Sequence, residues 1–291
     1  MIEVIWNTKK YSFPEGWDEM NKKQFLSVTR NLGSLLFKEE VTEEHLYARR
    51  IIALQEIMNI SLHRFKKVYS HELVDLIKLL DFTKKIDINK QLIPVINIKH
   101  GLSYTRLFGP ETGLKSSTFD EFIMADTYFV NISAKSDFDF AYFLFAVLYR
   151  PVRKGLKEFK SSAEWNGDVR EPFNLTRCKE RVELLKKYLK HEYLIAVLYF
   201  YWGFREKNVL IYKTIFPEPK TDEEGKVKRK KNSYGWADTR LELSGNKFGN
   251  YSETGKANWR NIIFDMHRNE QKRQEREKQI AIEKLRAKSR K

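Results

Sequence analysis

The chain has 291 residues, 42% of them hydrophobic and 14% aromatic, which is enough apolar content for a substantial core and excludes a globally disordered protein. Lysine and arginine outnumber aspartate and glutamate by 54 to 39, and the net charge of +15 is compatible with an anionic partner. The single cysteine, Cys178, excludes an intramolecular disulfide and a cysteine-rich metal site, and fits a reducing cytosol.

The first 85 residues predict a small β-hairpin followed by a helical array. The hairpin covers residues 2–13, with turn residues at Asn7 and Thr8. Four polar residues begin the predicted helices: Asn21, Thr42, Ser61 and Ser70. The apolar stripe predicted for the second helix consists of Leu46, Ile51, Leu54, Ile57 and Met58.

The periodicity then changes, and residues 93–108 predict a short β element that ends before Gly109-Pro110. Thr118, with Glu121 three residues later, fits a capping box for the following amphipathic helix.

Two aromatic-rich apolar runs dominate the middle of the chain, at residues 138–149 and 193–204. Each is too short for the roughly 20 apolar residues of a membrane-spanning helix. A helix that is apolar on nearly every face is stable only when other parts of the protein bury it on all sides, so we expect a core helix pair. The alternative is a groove for a partner. The N-terminus has no basic start followed by an apolar stretch, so we expect no signal peptide.

The C-terminal part of the chain differs in composition from the rest. Residues 1–216 predict a helical body with small β elements, residues 217–233 a charged linker, and residues 234–291 a segment ending in a long charged helix. Apolar residues in that helix stop near Met266, apart from three: Ile280, Ile282 and Leu285. The predicted fold class is therefore mostly α (α+β), with a C-terminal helix that projects into solvent or onto a partner.

No motif indicates catalysis, a cofactor or a metal ion. The six histidines form no HxH or HxxxH pair, and neither a GxxxxGK[ST] loop nor a GxGxxG turn is present. Cys178 lies near the start of a predicted helix without a histidine nearby in the sequence, and is expected to be inert. We therefore expect a non-enzymatic protein without catalytic, cofactor or metal residues.

A polar loop joins the two apolar runs, and its residue types predict structural roles. The residues concerned are Trp165, Asn166, Gly167, Asp168, Arg170, Glu171 and Pro172. Asn-Gly-Asp is turn chemistry, and the arginine can hold a carboxylate with two hydrogen bonds. An acid–base role for Asp168, Arg170 and Glu171 is the alternative, although two carboxylates without a partner base or metal are weak support for it.

A basic run in the charged linker is a candidate for binding an anion or a partner. It consists of Lys226, Lys228, Arg229, Lys230 and Lys231. Such a run supplies a few phosphate contacts, so nucleic acid is a secondary candidate partner. Aromatic residues are not interleaved with it, which argues against a platform for stacking single-stranded bases.

Several short sequence blocks are spread along the chain. The opening block is FPEGWDEMNKKQFLSVTRNL, and a VLYRP block at residues 147–151 and a GDVREPFN block at residues 167–174 follow in the middle. Near the end, a GW…LA…G.FG stretch is matched by Gly235-Trp236, Leu243-Ser244-Gly245 and Phe248-Gly249. Together these blocks resemble tail-assembly proteins of tailed phages and prophages of Bacteroidetes hosts.

The resemblance implies a helical, chaperone-like protein that acts in tail morphogenesis and binds another tail protein such as the tape measure. The resemblance also allows a second function, that of a structural component of the virion. The basic run supports a third, that of a nucleic-acid-binding protein. The expected partners are other phage tail or virion proteins, with a homo-oligomer possible and no membrane. The expected location is the cytoplasm of the bacterial host, with the virion as a second location.

Overall fold

The computed structural model describes most of the chain. The described residues are 1–6, 9–33, 42–65, 70–135, 137–216 and 235–289. The chain divides into two compact units, of which the first comprises Met1–Ser116 and Met124–Lys207, and the second Ser117–Ile123 and Asn208–Lys291. Helices dominate the described residues and the strands form two small sheets, which confirms the mostly α (α+β) prediction.

The strands of the described chain pair as two antiparallel hairpins. They are β1 (Ile2–Trp6), β2 (Lys9–Phe13), β3 (Val95–His100) and β4 (Ser103–Phe108). In the first hairpin Ile2 pairs with Phe13, and in the second Val95 pairs with Phe108 and His100 with Ser103. Both β elements were predicted from the sequence.

The helices of the described chain follow in order. They are α1 (Lys22–Val28), α2 (Glu43–Ile57), α3 (Leu62–Phe65), α4 (Ser70–Lys78), α5 (Phe119–Lys135), α6 (Asp139–Leu148), α7 (Leu156–Lys160), α8 (Leu175–Tyr188), α9 (His191–Ile211), α10 (Trp236–Leu243), α11 (Tyr251–Lys256) and α12 (Trp259–Ser289). A π-helical turn, Thr29–Gly33, continues α1, and 3₁₀ turns lie at Trp17–Glu19, Asp81–Lys84 and Thr112–Leu114.

Side-chain caps explain where several helices begin. Asn21 forms a capping box with Gln24 at the start of α1, and the Thr42 hydroxyl accepts the backbone N–H of His45 at the start of α2. Such caps satisfy backbone donors that a helix leaves without partners, and each stabilises the fold by about 1 kcal/mol. The predicted starts at Asn21 and Thr42 are therefore confirmed.

The two apolar runs form α6 and the first part of α9, and their side chains are largely buried in the first unit. Gly203 lets α9 approach the backbone of Ile88, because a Cβ at this glycine would lie 2.7 Å from the Ile88 nitrogen and oxygen. Trp17, from the opening sequence block, lies 5.5 Å from the Tyr199 ring of α9 and donates its indole N–H to the carbonyl oxygen of Lys85. Both runs are therefore core helices, as their apolar composition predicts.

The second unit has an aromatic core of its own. Trp259, at the start of α12, is 1% exposed and stacks on Phe122 with ring centroids 5.0 Å apart. Trp236 meets Phe122 edge-on at 5.2 Å, and Arg240 forms a 2.6 Å ion pair with Asp120. The start of α5 is therefore held to α10 and α12 by aromatic contacts and a charge pair.

The distal part of α12 is uncovered. This helix has 31 residues, and every residue from 275 to 287 is exposed, including Ile280, Ile282 and Leu285. The prediction of a projecting C-terminal helix is confirmed. Within the described residues, no helix combines the length and the hydropathy that crossing a membrane requires.

Candidate partner-binding groove

A buried aspartate lies between two buried arginines in the first unit. The Asp168 carboxylate accepts hydrogen bonds from Nε and Nη2 of Arg170, both at 2.8 Å, and from Nη2 of Arg150 at 3.2 Å. Arg170 also donates from Nη1 to the carbonyl oxygen of Leu148 at 2.7 Å. The arginine side chains are at most 1% exposed and the aspartate 12%, so one carboxylate is shared by two desolvated guanidinium groups.

Burial alone would raise the pKa of Asp168, because desolvation disfavours the carboxylate. The positive charges of Arg170 and Arg150, together with hydrogen bonds from Arg170, outweigh burial and hold the pKa below its ordinary value of 3.8. A general base works best with a pKa near the operating pH. These surroundings favour the structural interpretation of the loop over the acid–base alternative.

Short β-bridges connect this cluster to the β3–β4 hairpin. The backbone N–H of Phe108 donates to the carbonyl oxygen of Arg150 at 2.8 Å, and the N–H of Arg150 returns a bond to Phe108 at 3.0 Å. On the other side, the N–H of Arg153 donates to the carbonyl oxygen of Val169 at 2.8 Å. The VLYRP and GDVREPFN blocks, distant in the sequence, therefore lie side by side and continue the sheet from β4.

The turn before Asp168 is built by two residues. The Asn166 side-chain oxygen accepts the backbone N–H of Asp168 at 3.0 Å. Gly167 has a φ of +91°, a left-handed backbone conformation that favours glycine, and its nearest side-chain neighbour is the flexible carboxylate of Glu111.

The other loop residues singled out in the sequence lie at the edges of the cluster. Trp165 is half-buried and Pro172 is exposed. Glu171 accepts hydrogen bonds from Arg181 and, at 3.3 Å, from Arg177, which ties the end of the loop to α8. Of the seven loop residues, Asp168 and Arg170 are brought directly together, and Asn166, Gly167 and Glu171 hold the segments on either side of them.

An open groove of about 500 Å³ lies beside the loop. Its apolar lining consists of Pro94, Val95, Phe108, Pro110 and Val169. Side chains alternate along an extended segment, so the inward direction of Asp168 and Arg170 turns Val169 outward into the groove. Glu111 and Lys115 also line it, and both are exposed.

A buried tyrosine fixes the backbone beside the groove. The Tyr149 hydroxyl donates to the carbonyl oxygen of Ile93 at 2.7 Å, and burial raises its pKa, so it remains a neutral donor. A Cβ at Gly109 would lie 2.8 Å from the Tyr149 ring, which leaves room for glycine alone. Gln91 donates to the carbonyl oxygen of Pro110 at 3.2 Å. The groove therefore has a rigid, preformed backbone, which reduces the cost of binding.

A second pocket in the first unit, of about 320 Å³, is polar. Its Glu56 carboxylate accepts hydrogen bonds from Nη2 of Arg30 at 2.6 and 2.7 Å, from the Asn31 amide at 3.1 Å and from the Ser27 hydroxyl. These contacts join α1 and its π-helical turn to α2. The central carboxylate is thus occupied by structural contacts, and the pocket offers less apolar surface than the groove.

Three candidates from the sequence remain: the cysteine, a metal site and the basic run. Cys178 is buried, with its Sγ 3.4 Å from the carbonyl oxygen of Ala146. In the part of the chain that the structure describes, no three His, Cys, Asp or Glu side chains are grouped to hold a metal ion. The basic run Lys226, Lys228, Arg229, Lys230 and Lys231 lies outside the described residues.

Sequence reasoning did not identify the groove. Its walls come from segments up to 78 positions apart, from Gln91 to Val169, which only the long-range bridges bring together. The alternation of Asp168, Val169 and Arg170 was the available signal, since two side chains fixed inward imply that the one between them faces out.

Comparison with known proteins gives no assignment: no protein family model matches the chain, and neither a curated protein nor a solved structure matches it significantly.

Proposed function

We propose that this protein is a non-enzymatic tail-assembly factor of a tailed phage or prophage, which acts in the host cytoplasm and holds another tail protein in the groove beside residues 167–174. One observation carries the proposal. The two middle blocks of the tail-assembly resemblance form a single buried cluster through Arg150, Asp168 and Arg170, and that cluster presents Val169 to an apolar groove.

The groove suits a helical segment of a partner. At about 500 Å³ its volume is in the 300–1,000 Å³ range of small-molecule pockets, so it would take a few apolar side chains of such a segment. A tape measure is a long helical chain whose apolar stripe must be shielded until the tail tube encloses it. Docking such a stripe is the helix-in-groove mode of recognition, in which apolar side chains of the helix fill an apolar cleft. Each large apolar side chain fully buried there contributes about 1.5–3 kcal/mol.

Val169→Asp should weaken capture of the tape-measure protein of the same phage or prophage by tenfold or more. The substitution places a charge that must lose water in an apolar wall, at a cost that exceeds the roughly 1.4 kcal/mol of a tenfold change. The measurement is co-purification of the two proteins from co-expressing cells, followed by titration calorimetry on the purified pair.

The matched control is Val130→Asp, a valine on α5 that is 44% exposed and does not line the groove. It should bind as the wild type does. Failure of the wild-type chain to enrich the tape-measure protein over a tag-only control would refute the proposed function. Equal losses of binding in the two variants would show that the groove is not the binding site.

A structural role in the virion is the second candidate, and the distal part of α12 favours it. Most helical stability in proteins comes from tertiary packing, so the exposed stretch 275–287 of α12 would gain stability from a neighbouring subunit. Mass spectrometry of purified particles separates the two roles. A stoichiometric amount of the chain supports the virion component, whereas its absence supports a factor that is released after assembly.

A further inference from the structure

The outer face of the β3–β4 hairpin is positively charged. Side chains alternate along a strand, so Asn97 and Lys99 lie on the face opposite the buried isoleucines of β3. Arg106 pairs with Asn97 across the hairpin, and cross-strand partners share a face. Both cations are exposed, and neither forms an ion pair within the described residues. They are therefore available to an anionic partner.

Arg106 lies at the mouth of the groove. Its guanidinium is over the ring of Phe108, 5.2 Å from the ring centroid, and Phe108 lines the groove. An arginine stacked on a ring still presents its N–H groups at the edge, where they can form two parallel hydrogen bonds with a carboxylate. The stacking also orients the side chain in advance, so less conformational entropy is lost when a carboxylate binds.

The other charged residues around the groove are mostly cations as well. Lys115 is exposed among the lining residues, and the Lys22 ammonium donates to the carbonyl oxygen of Val95 at 3.3 Å. Glu111 is the carboxylate among the described lining residues, and it is turned towards the loop, since its Oε1 lies 2.8 Å from the position of a Cβ at Gly167. Cations outnumber carboxylates here, so an acidic partner is complementary to this site.

Two other kinds of occupant fit this face less well. A second copy of the chain would set the same cations against each other, and like charges at an interface oppose binding. A single-stranded nucleic acid needs ring faces on which successive bases stack. The Phe108 ring is covered by Arg106 on one side, and the aliphatic lining, which includes Val95 and Val169, suits apolar side chains instead. A protein segment supplies both the apolar side chains and the carboxylates.

We propose that the groove takes a helical segment of the partner in which an apolar side chain is accompanied, on the same side of the helix, by two acidic residues. The apolar side chain enters the groove beside Val169, the nearer carboxylate binds Arg106, and the farther one binds Lys99. Tyr104, which is 65% exposed opposite Lys99, packs against the same segment. The inference rests on the proposed function, because it specifies the chemistry of the tail-protein segment held there.

The hairpin sets the spacing of these residues in the partner. From the Val95–Phe108 pair, the pair that contains Arg106 is two residues away, and the pair that contains Lys99 is four. At about 3.3 Å per residue, these steps are roughly 7 and 13 Å. A helix rises about 1.5 Å per residue, so acidic residues about four and eight positions from the apolar one match both steps and stay on one side of the helix.

The first test measures binding of three labelled helical peptides to the full chain by fluorescence anisotropy. Each peptide has about 20 residues, enough to form a helix alone. Each carries a leucine in the middle and, about four and eight positions to either side, glutamate, glutamine or lysine. We expect the glutamate peptide to bind about three- to tenfold more tightly than the glutamine peptide, as two exposed ion pairs allow, and the lysine peptide to bind most weakly.

Salt should reduce this preference, because it screens exposed charges. A glutamine or lysine peptide that binds as tightly as the glutamate peptide would overturn the proposal, and so would a preference that salt leaves unchanged.

The second test reverses the charges on the hairpin. In the double variant Lys99→Glu, Arg106→Glu the lysine peptide should bind more tightly than the glutamate peptide, by about threefold or more. Tighter binding of one peptide also shows that the variant is folded. The matched control is Lys157→Glu, Lys179→Glu, which reverses two exposed cations that do not line the groove and should keep the wild-type order. Equal loss of binding to every peptide, or reversal in the control, would contradict the proposal.

Two further measurements separate the other occupants. A single-stranded oligonucleotide that binds more tightly than the glutamate peptide, and loses affinity in the double variant but not in the control, would assign this face to nucleic acid and overturn the proposal. A dimer in sedimentation equilibrium that the double variant abolishes would assign it to a second copy, with the same consequence.

The proposed function and this inference fail separately. If the peptide preferences hold while the tape-measure protein is not captured, the proposed function falls and the chemistry of the groove stands. Equal capture of the tape-measure protein by the wild type and the double variant would refute the inference and leave the proposed function in place.

Discussion

Replacing Asp168 by alanine is expected to lower the free energy of unfolding by about 3–5 kcal/mol, the cost of removing one partner from a buried ion pair. Arg150 and Arg170 would keep their charges inside the first unit without the carboxylate they share. A denaturant titration followed by circular dichroism measures the loss. Stabilities of whole domains are only about 5–15 kcal/mol, so the variant will be poorly folded at 37 °C.

The matched control is Glu164→Ala, which removes an acidic side chain from an exposed position just before the same loop. It should change the stability by no more than about 0.5 kcal/mol, as surface substitutions usually do. Comparable effects of the two substitutions would show that Asp168 does not hold the arginines.

The free energy of unfolding should also depend on pH through the charge of the Asp168 carboxylate. The pKa of Asp168 is lowered in the folded chain, since the arginine charges outweigh the opposing effect of burial. Its stabilising contribution is therefore complete above the ordinary value of 3.8 and is lost as the pH falls through the lower pKa of the folded state. Asp168→Asn should show a smaller decrease in stability over this acid range than the wild type. Parallel curves for the two proteins would contradict the assignment.

Trp259→Ala should have an effect of similar size in the second unit. The side chain is 1% exposed and stacks on Phe122, and truncation of a large buried aromatic residue costs about 3–5 kcal/mol through lost contacts and the cavity left behind. Hydrogen–deuterium exchange should show faster exchange of the backbone amides in α10, α11 and the first turns of α12.

Phe264→Ala is the matched control for the tryptophan, because it truncates an aromatic side chain on the same helix that is 58% exposed. Amide exchange in α10 and α11 should be unchanged by it. A Trp259→Ala protein with wild-type exchange would show that the aromatic stack does not hold this unit together.

Local features of the fold were predictable because neighbours in the sequence decide them. The caps Asn21 and Thr42 bond to backbone groups three residues later, and the break between α8 and α9 coincides with the polar residues Lys190 and His191. The predicted stripe of α2 was wrong at Leu46, which is 40% exposed near the helix start, whereas Leu54 is fully buried. Periodicity identifies a helical face but does not say how far along the helix its cover extends.

The groove was not predictable from local pattern, since it depends on pairings between distant segments. The backbone bonds between Phe108 and Arg150, and between Arg153 and Val169, have no signature in either segment alone. The loop residues themselves were recognised by type: an Asn-Gly-Asp turn followed by an arginine that can hold a carboxylate. What sequence reasoning lacked was the second arginine, Arg150, whose contact with Asp168 spans 18 positions.

The shared carboxylate also constrains the order in which the chain folds. A desolvated guanidinium is too costly to tolerate early, so Arg150 must stay hydrated until residues 150 and 168 have come together. The backbone bonds between Arg150 and Phe108 and the outward position of Val169 belong to the same folded arrangement. The apolar groove beside Val169 therefore exists only in chains in which these two segments have come together.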